Sequence, residues 1–467
     1  MHRLCFALAV TLISAASFAS TRTVSGTEIG HYKNGPLPVD LSAATVAAFA
    51  PNGSGGYTFL PGSGTSGGTF TIANVPSGFY LLQLGGIYLW TSNTVVDADF
   101  KADFRSDTVQ ADQNTTVTFD LTNLNPWEST DFLEMVCPNN AAFNLFFGTV
   151  GWTTFTGTDQ YFGSLSVGTE GDQYYVFQLI TQSVSGYPFT ALGRFIAPPK
   201  FTQPQSSNTP INGQLRSIIQ KHTFEANING ADLAKQALAA NPKAFLVDTG
   251  VYLDAYPGSL AKGENTSTPD MVAYNFGTGQ PFITTNGDLG PVRYGNPFPS
   301  SWPLFDLYQW LAVTRYTAPG ATNSAGIATD AYGNNPKLPT STSPIKPLVG
   351  AVRKPSINHK SFFADRTGVG AMPTLKWSPP SVGKATSYNV RVWLLTNSGG
   401  NTVTTLIAGL HTQHTSLLIP KGLMSTGQAY VFDIVAIYTP GVNFAKTPFM
   451  IGPTYGRSQV ISGMMQP

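Results

Sequence analysis

The sequence predicts an all-β, multidomain protein built of β-sandwiches, with one short helix in its central region. Three observations carry that prediction. Charged residues make up only 11% of the chain, well under the roughly 25% of an average soluble protein, while 47 glycines and 34 prolines supply turns. Short runs of alternating apolar residues recur throughout, bounded by Gly, Pro, Asn or Ser, and one run alone has helical spacing. At 467 residues the chain exceeds the size at which a single core keeps growing, and 42% apolar residues can fill several.

The chain opens with a leader-like segment, 1–20. His2 and Arg3 give a positive start, an apolar run follows from Leu4 to Ala16, and Ser17-Phe18-Ala19 places small residues where a signal peptidase reads them. Cleavage is expected after Ala19 or Ser20, giving an exported mature chain in the periplasm, at the cell surface or outside the cell. No run approaches the roughly 18 apolar residues of a transmembrane helix. Cys5 lies inside the leader, so Cys137 is the one cysteine left, and stability is expected to come from cores rather than a disulfide. Its apolar neighbours Met135, Val136 and Pro138 suit an inert, partly buried thiol. The final residues, Gly463-Met464-Met465-Gln466-Pro467, show neither a hydrophobic tail nor a last aromatic, which argues against wall sorting and an outer-membrane barrel. The net charge is +1 with no Lys/Arg cluster, which argues against nucleic acid as a partner.

The first domain is expected over 21–122. Val24-Ser25-Gly26-Thr27 and the alternating positions of 38–49 read as strands, followed by a Gly/Ser-rich hairpin region over 52–68. Phe70 and Ile72 then share one strand face, and Tyr80, Leu82 and Leu84 share a face of the next strand, with Pro76-Ser77-Gly78 as the hairpin connection. This succession, Gly68, a short strand and then Asn74-Val75-Pro76-Ser77-Gly78-Phe79-Tyr80, resembles the carboxypeptidase regulatory-like (transthyretin-like) domain over 24–84. The resemblance implies an accessory sandwich. The strand signal at Val117-Thr118-Phe119-Asp120-Leu121 places the domain end near 122.

The central region, 123–316, resembles no family. Strand-like runs occur at 143–147, 174–180, 244–253 and 271–276. The helical signal spans 231–240, where Leu233, Ala237 and Leu238 share a face and Pro242 prevents continuation. Pro198-Pro199 and the polar run 203–212 read as a loop, so the region is either one sandwich with a long excursion or two units divided near 200–212. The Pro/Gly/Ser/Thr/Asn-rich segment 317–347 reads as an extended linker.

The last domain is expected over 348–467. Leu375 and Trp377 alternate on one strand, Tyr388, Val390 and Val392 on the next, and Leu417 and Ile419 precede Gly427-Gln428-Ala429-Tyr430. This order resembles a fibronectin type III-like sandwich, in which Trp377 would be the core tryptophan and the Tyr430 hydroxyl would bond back to the backbone of the corner before its strand. Where that family commonly has a proline before the glycine, this chain has Thr426.

Motifs with chemical potential are few. Gly64-Thr65-Ser66-Gly67-Gly68 has the spacing of a nucleophile elbow, but its flanks read as loop and strand where the elbow needs a strand and then a helix. His411 and His414 are three apart on strand-like sequence, which turns them to opposite faces, so both are expected as exposed structural residues. Asp97, Asp99 and Asp103 offer oxygen ligands without the turn glycine and terminal glutamate of a calcium loop. Glu225, Asp248, Asp254 and Asp306 are acids of the central region, with no pair singled out for glycoside hydrolysis. Tyr294, Phe298, Trp302, Tyr308 and Trp310 crowd beside Asn296. Such rings either stack on a polysaccharide or fill the core, and density of this kind favours the core.

These observations lead us to expect a secreted, non-catalytic scaffold or adhesion-type protein of the cell envelope or exterior, without cofactor, whose partner is a polysaccharide or another envelope protein. No catalytic or metal-binding residue is assigned. One alternative is a carbohydrate-binding protein using Tyr294, Trp302, Tyr308 and Trp310; a second is a secreted hydrolase with its active site in the central region.

Overall fold

The computed structural model describes residues 20–32, 35–101, 109–110, 116–137, 142–160, 164–165, 173–184, 186–202, 204, 206–256, 268–276 and 281–467. Its regular structure is almost entirely β, with a single α-helix, Gly230–Leu238, among the described residues. No helix among them is long and apolar enough to cross a membrane. The leader lies outside the described residues.

The first sandwich packs Val24, Phe70, Ile72 and Val75 against Val46, Ala48, Tyr80, Leu82 and Leu84. Phe70 and Ile72 do share a buried face, as do Tyr80, Leu82 and Leu84. The two strands are not a hairpin, however. Thr69–Pro76 pairs with Thr21–Thr27, whereas Tyr80–Leu84 pairs with Val46–Pro51 and Ile87–Thr91, so Pro76-Ser77-Gly78 arches from one sheet to the other. Gly78 takes a positive φ of 108° in that arch, a conformation that disfavours a side chain. Alternation fixes which face is inward, but not which sheet a strand joins.

The strand Thr116–Thr122, expected to end the first domain, instead places Val117, Phe119 and Leu121 in a second core with Ile211 and Leu215. It runs parallel to Asn208–Gln214 and antiparallel to Phe155–Gln160. Facing it is the sheet containing Phe132–Cys137 and Tyr175–Val184. That sheet is covered on both faces. Leu133, Met135, Cys137 and Val176 point into the second core, while Phe132, Val136, Phe177 and Leu179 point into a third. In the centre, two cores thus occupy the two faces of one sheet.

The third core is closed by the two-stranded antiparallel sheet of His222–Asn229 and Asn286–Tyr294 and by the helix. Asn229 caps the helix by accepting the Asp232 N–H at 3.3 Å. Leu233, Ala234 and Ala237 are buried. Leu238, expected on the same face, is exposed, because it lies about 140° around the helix from Leu233.

The segment 317–347 is no linker. Its Ala325–Asn335 is a strand paired along its whole length with Leu304–Tyr316 and, at residues 331–334, with Tyr455–Ile461 of the last domain. Its small residues hid it in the sequence, and Gly333 explains one of them: a Cβ there would fall 2.5 Å from the Tyr308 hydroxyl oxygen. Beyond the strand, Ile345 is buried and bridges to Ile228.

The last sandwich sets a sheet ordered Lys360–Ser361, Arg353–Ile357, Thr374–Ser378, Ser416–Leu418 against one ordered Asn401–Thr412, Ser387–Ser398, Ala429–Tyr438, Tyr455–Ile461. Trp377 is buried there, edge-on to Tyr388 at 5.3 Å. The Tyr430 hydroxyl accepts the Ser425 N–H at 2.9 Å.

First and last sandwiches are joined as well. Ile87–Thr91 pairs in parallel with Asn401–Thr412 through Ile87↔Gly409 and His411↔Leu89. Val46–Pro51 and Tyr80–Leu84 therefore carry the fourth core on their second face, through Ala47, Phe49 and Leu81. Strands covered on both faces read as unbroken apolar runs, here Val46-Ala47-Ala48-Phe49-Ala50 and Tyr80-Leu81-Leu82. The pairings of the largest sheet form one succession from Val95–Asp97 to Ala142–Phe146, each of which has a single partner strand among the described residues, so the succession is open rather than barrel-like.

Candidate functional site

A cleft of about 880 Å³ lies where the third core's sheet meets the strand Phe132–Cys137. Its apolar wall includes Phe132, Phe189 and Leu307, and its polar side is Asp248, Tyr252, Asp254, Asp270 and Asn275. Phe245–Ala255 and Asp270–Phe276 pair antiparallel with Asp254 opposite Asp270, which forces two carboxyl groups onto one face. A register shift between Leu253 and Asp254 marks the place.

The two carboxyl groups are close enough that the charge on Asp270 raises the pKa of Asp254 on top of burial, which favours a protonated form of the pair. Thr268 Oγ1 donates to Asp254 Oδ2 at 2.8 Å, and Tyr252 Oη donates to Asn275 Oδ1 at 2.6 Å. Behind the pair sits Glu134, fully buried, with Oε1 3.4 Å from the Asp270 N–H. Among the described residues, Glu134 Oε2 and Asp254 Oδ1 have no hydrogen-bond partner. Burial raises the pKa of all three acids, and each carboxylate charge penalises its neighbours further at Glu134 and Asp254. Asp270 is pushed up to about 7, chiefly by burial. Among the described residues no three His, Cys, Asp or Glu side chains converge as metal ligands would.

Of the four acids read from the sequence, the structure brings Asp254 and Asp248 to this cleft. Asp306 is buried across from Leu253, with its pKa pushed up to about 7 by burial. Glu225 belongs to the two-stranded sheet that closes the third core. Glu134 and Asp270 were missed, although a signal existed. Each is a lone acid in an apolar strand, Phe132-Leu133-Glu134-Met135-Val136 and Asp270-Met271-Val272, where a solvated acid does not belong.

The central aromatic cluster is core. Trp310 is 0% exposed and its Nε1 donates to the Ile283 carbonyl at 2.8 Å. Tyr308 and Tyr294 are buried, the former accepting the Leu348 N–H at 2.8 Å and the latter stacked on His222. Trp302 is half-buried, stacked on Phe298 at 5.2 Å. Enclosed in this way, Tyr294, Tyr308 and Trp310 fill the core, the reading their density favoured, and do not offer the stacking surface that the carbohydrate-binding alternative needs.

The remaining motifs find structural places. Gly64-Thr65-Ser66-Gly67-Gly68 closes a hairpin, with the Thr65 N–H donating to the Thr69 carbonyl and a strand following. Asp99 accepts the Ile29 N–H at 2.9 Å and pairs with His31 at 2.9 Å, while Asp97 accepts the Asp99 N–H. Asp103 lies outside the described residues. His414 is exposed as expected, but His411 is half-buried, edge-on to Phe449, and burial lowers its pKa to about 4. Cys137 is buried. No protein-family model matches this sequence, and a search of curated proteins gives no match either.

Proposed function

We propose that this is an exported, non-catalytic scaffold or adhesion-type protein of the cell envelope or exterior. The observation that carries the reading is the way its sandwiches are joined. Main-chain pairing crosses from the first sandwich to the last, and from the last to the centre, with cores shared across the joints. Modules connected by linkers move by default, whereas modules sharing sheets and cores keep a fixed geometry suited to presenting a surface. The sheet orders of 348–467 and the Ser425 to Tyr430 bond support a fibronectin type III-like last module, and the arch at Gly78 is compatible with a regulatory-like first one. The leader-like start supports export.

Expression of the full chain in a bacterial host, followed by fractionation and N-terminal sequencing, tests this. Cleavage after Ala19 or Ser20 with the mature chain outside the inner membrane is expected; an uncleaved cytoplasmic chain would sink the reading. A second reading, a secreted hydrolase, is favoured by the cleft with Asp254 and Asp270. Its test is a broad hydrolase screen of the wild type and Asp254→Asn. Absence of any turnover that the substitution abolishes would count against it.

A further inference from the structure

We propose that a groove at the seam of the first and last sandwiches binds neutral glycan chains; this rests on the adhesion reading and gives it a ligand class. The groove, about 270 Å³, is assembled from the Pro51 to Tyr57 turn, from Trp90, and from Thr374 and Ser416 of the last sandwich. It exists only because the two modules are joined. Among the described residues no Lys, Arg, His, Asp or Glu lines it, and His414 sits outside the lining, edge-on to Phe79 at 4.9 Å, so no ion pair selects a phosphate, a carboxylate or an ammonium group in the groove itself.

What lines it instead is ring surface beside uncharged hydrogen-bonding groups. Trp90 and Tyr57 are both half-buried, their centroids 6.4 Å apart, and the Tyr57 hydroxyl donates to the Leu418 carbonyl at 3.0 Å, which holds the ring in place across the seam. Phe79 stacks on Trp90 at 6.0 Å with 6° between planes, and is 47% exposed. Phe59, 53% exposed, extends the apolar strip past Phe49. Asn52 organises the turn by accepting the Ser54 and Gly56 N–H groups through Oδ1, bonds that leave its NH₂ group as a donor. The Thr374 and Ser416 hydroxyls donate or accept.

A sugar ring presents an apolar C–H face and a rim of neutral hydroxyls, which matches fixed aromatic faces flanked by amide and hydroxyl groups. The volume suits one or two sugar residues of a chain that continues over the Phe79 platform. Fixed rings lose little entropy on binding, so the site is pre-organised.

The test is co-sedimentation of the full-length mature protein with insoluble cellulose, chitin, mannan and β-1,3-glucan, with alginate gel as an acidic control and envelope fractions in parallel. Two variants probe the groove from different sides. Phe79→Ala removes exposed ring surface. Gly56→Leu fills the groove from the turn without removing a ring; Gly56 has no positive φ, and a Cβ there meets its nearest atoms, in Asn52 and Met372, at 3.7 Å. Retention on at least one neutral polysaccharide, weakened tenfold or more in both variants at unchanged thermal midpoint, is the expected result. Retention that neither variant weakens, or that alginate alone supports, overturns the groove and leaves adhesion standing. Binding to envelope fractions but to no neutral polysaccharide does the same. Binding to nothing overturns both.

Discussion

Buried ionisable side chains set this protein's response to pH, and they pull in opposite directions. Asp306 and Asp270 have pKa values pushed up to about 7 by burial, against about 4 in an unfolded chain. Below that lower value both states are protonated and no penalty exists. Between about 4 and 7 the folded state retains protons that the unfolded chain releases, so stability falls as pH rises, by up to about 1.4 kcal/mol per pH unit for each group, and levels off above. His411 behaves conversely. With its pKa lowered to about 4, its contribution is present above about 6.5 and is lost as pH falls toward 4. We expect Asp306→Asn to flatten the decline of the urea midpoint between pH 4.5 and 7.5; an unchanged slope would show that Asp306 is not the group responsible. Residue identity signalled these sites only as acids in apolar strands, because burial is a property of what packs above them.

At the scale of the element, the Ala325–Asn335 strand is the instructive case. Its composition, Ala-Gly-Ile-Ala-Thr-Asp-Ala-Tyr-Gly-Asn-Asn, has the small polar residues of a linker, yet it bridges two sheets. Small residues are there because large ones are opposite: Tyr308 lies against Gly333, and its hydroxyl fixes the Leu348 N–H where the last sandwich begins. Asp330 accepts from Arg457 Nε at 2.9 Å and from Gln459 Nε2 at 2.7 Å, and Arg391 joins Gln459 to Asp433, so charge is paired across the joint. Gly333→Val is expected to displace Tyr308 and cost about 1–3 kcal/mol, as overpacking of a fixed backbone does. Thermal unfolding would read this as a drop in midpoint; an unchanged midpoint would mean the ring moves freely.

At the scale of the molecule, shared sheets make the sandwiches interdependent. Removing 348–467 would strip Ala325–Asn335 of its second partner, Tyr455–Ile461, and uncover Ala47, Phe49, Leu81 and Tyr88 on the first sandwich. Unpaired edges and apolar faces associate. We therefore expect a chain ending at 347 to elute from size exclusion as aggregate, and a monomeric, cooperatively folding product would refute the interdependence. The groove with Trp90 and Tyr57 depends on the same joint, since both terminal modules contribute to its lining.

The sequence by itself determined the all-β class, the inward faces of individual strands, the one helix and the core tryptophan of the last sandwich, because alternation, turn residues and helical spacing are local signals. Tertiary structure alone decided which sheet each strand joins, that 317–347 is a structural bridge, and that Tyr294, Tyr308 and Trp310 are enclosed while Phe79 and Phe59 stay at the surface. The physical reason is that an apolar side chain looks the same in sequence whether it faces its own core, a neighbour's core or solvent at a seam. Pairing between distant segments makes that choice, and Asp254 meets Asp270, as Trp90 meets Ser416, only once it has been made.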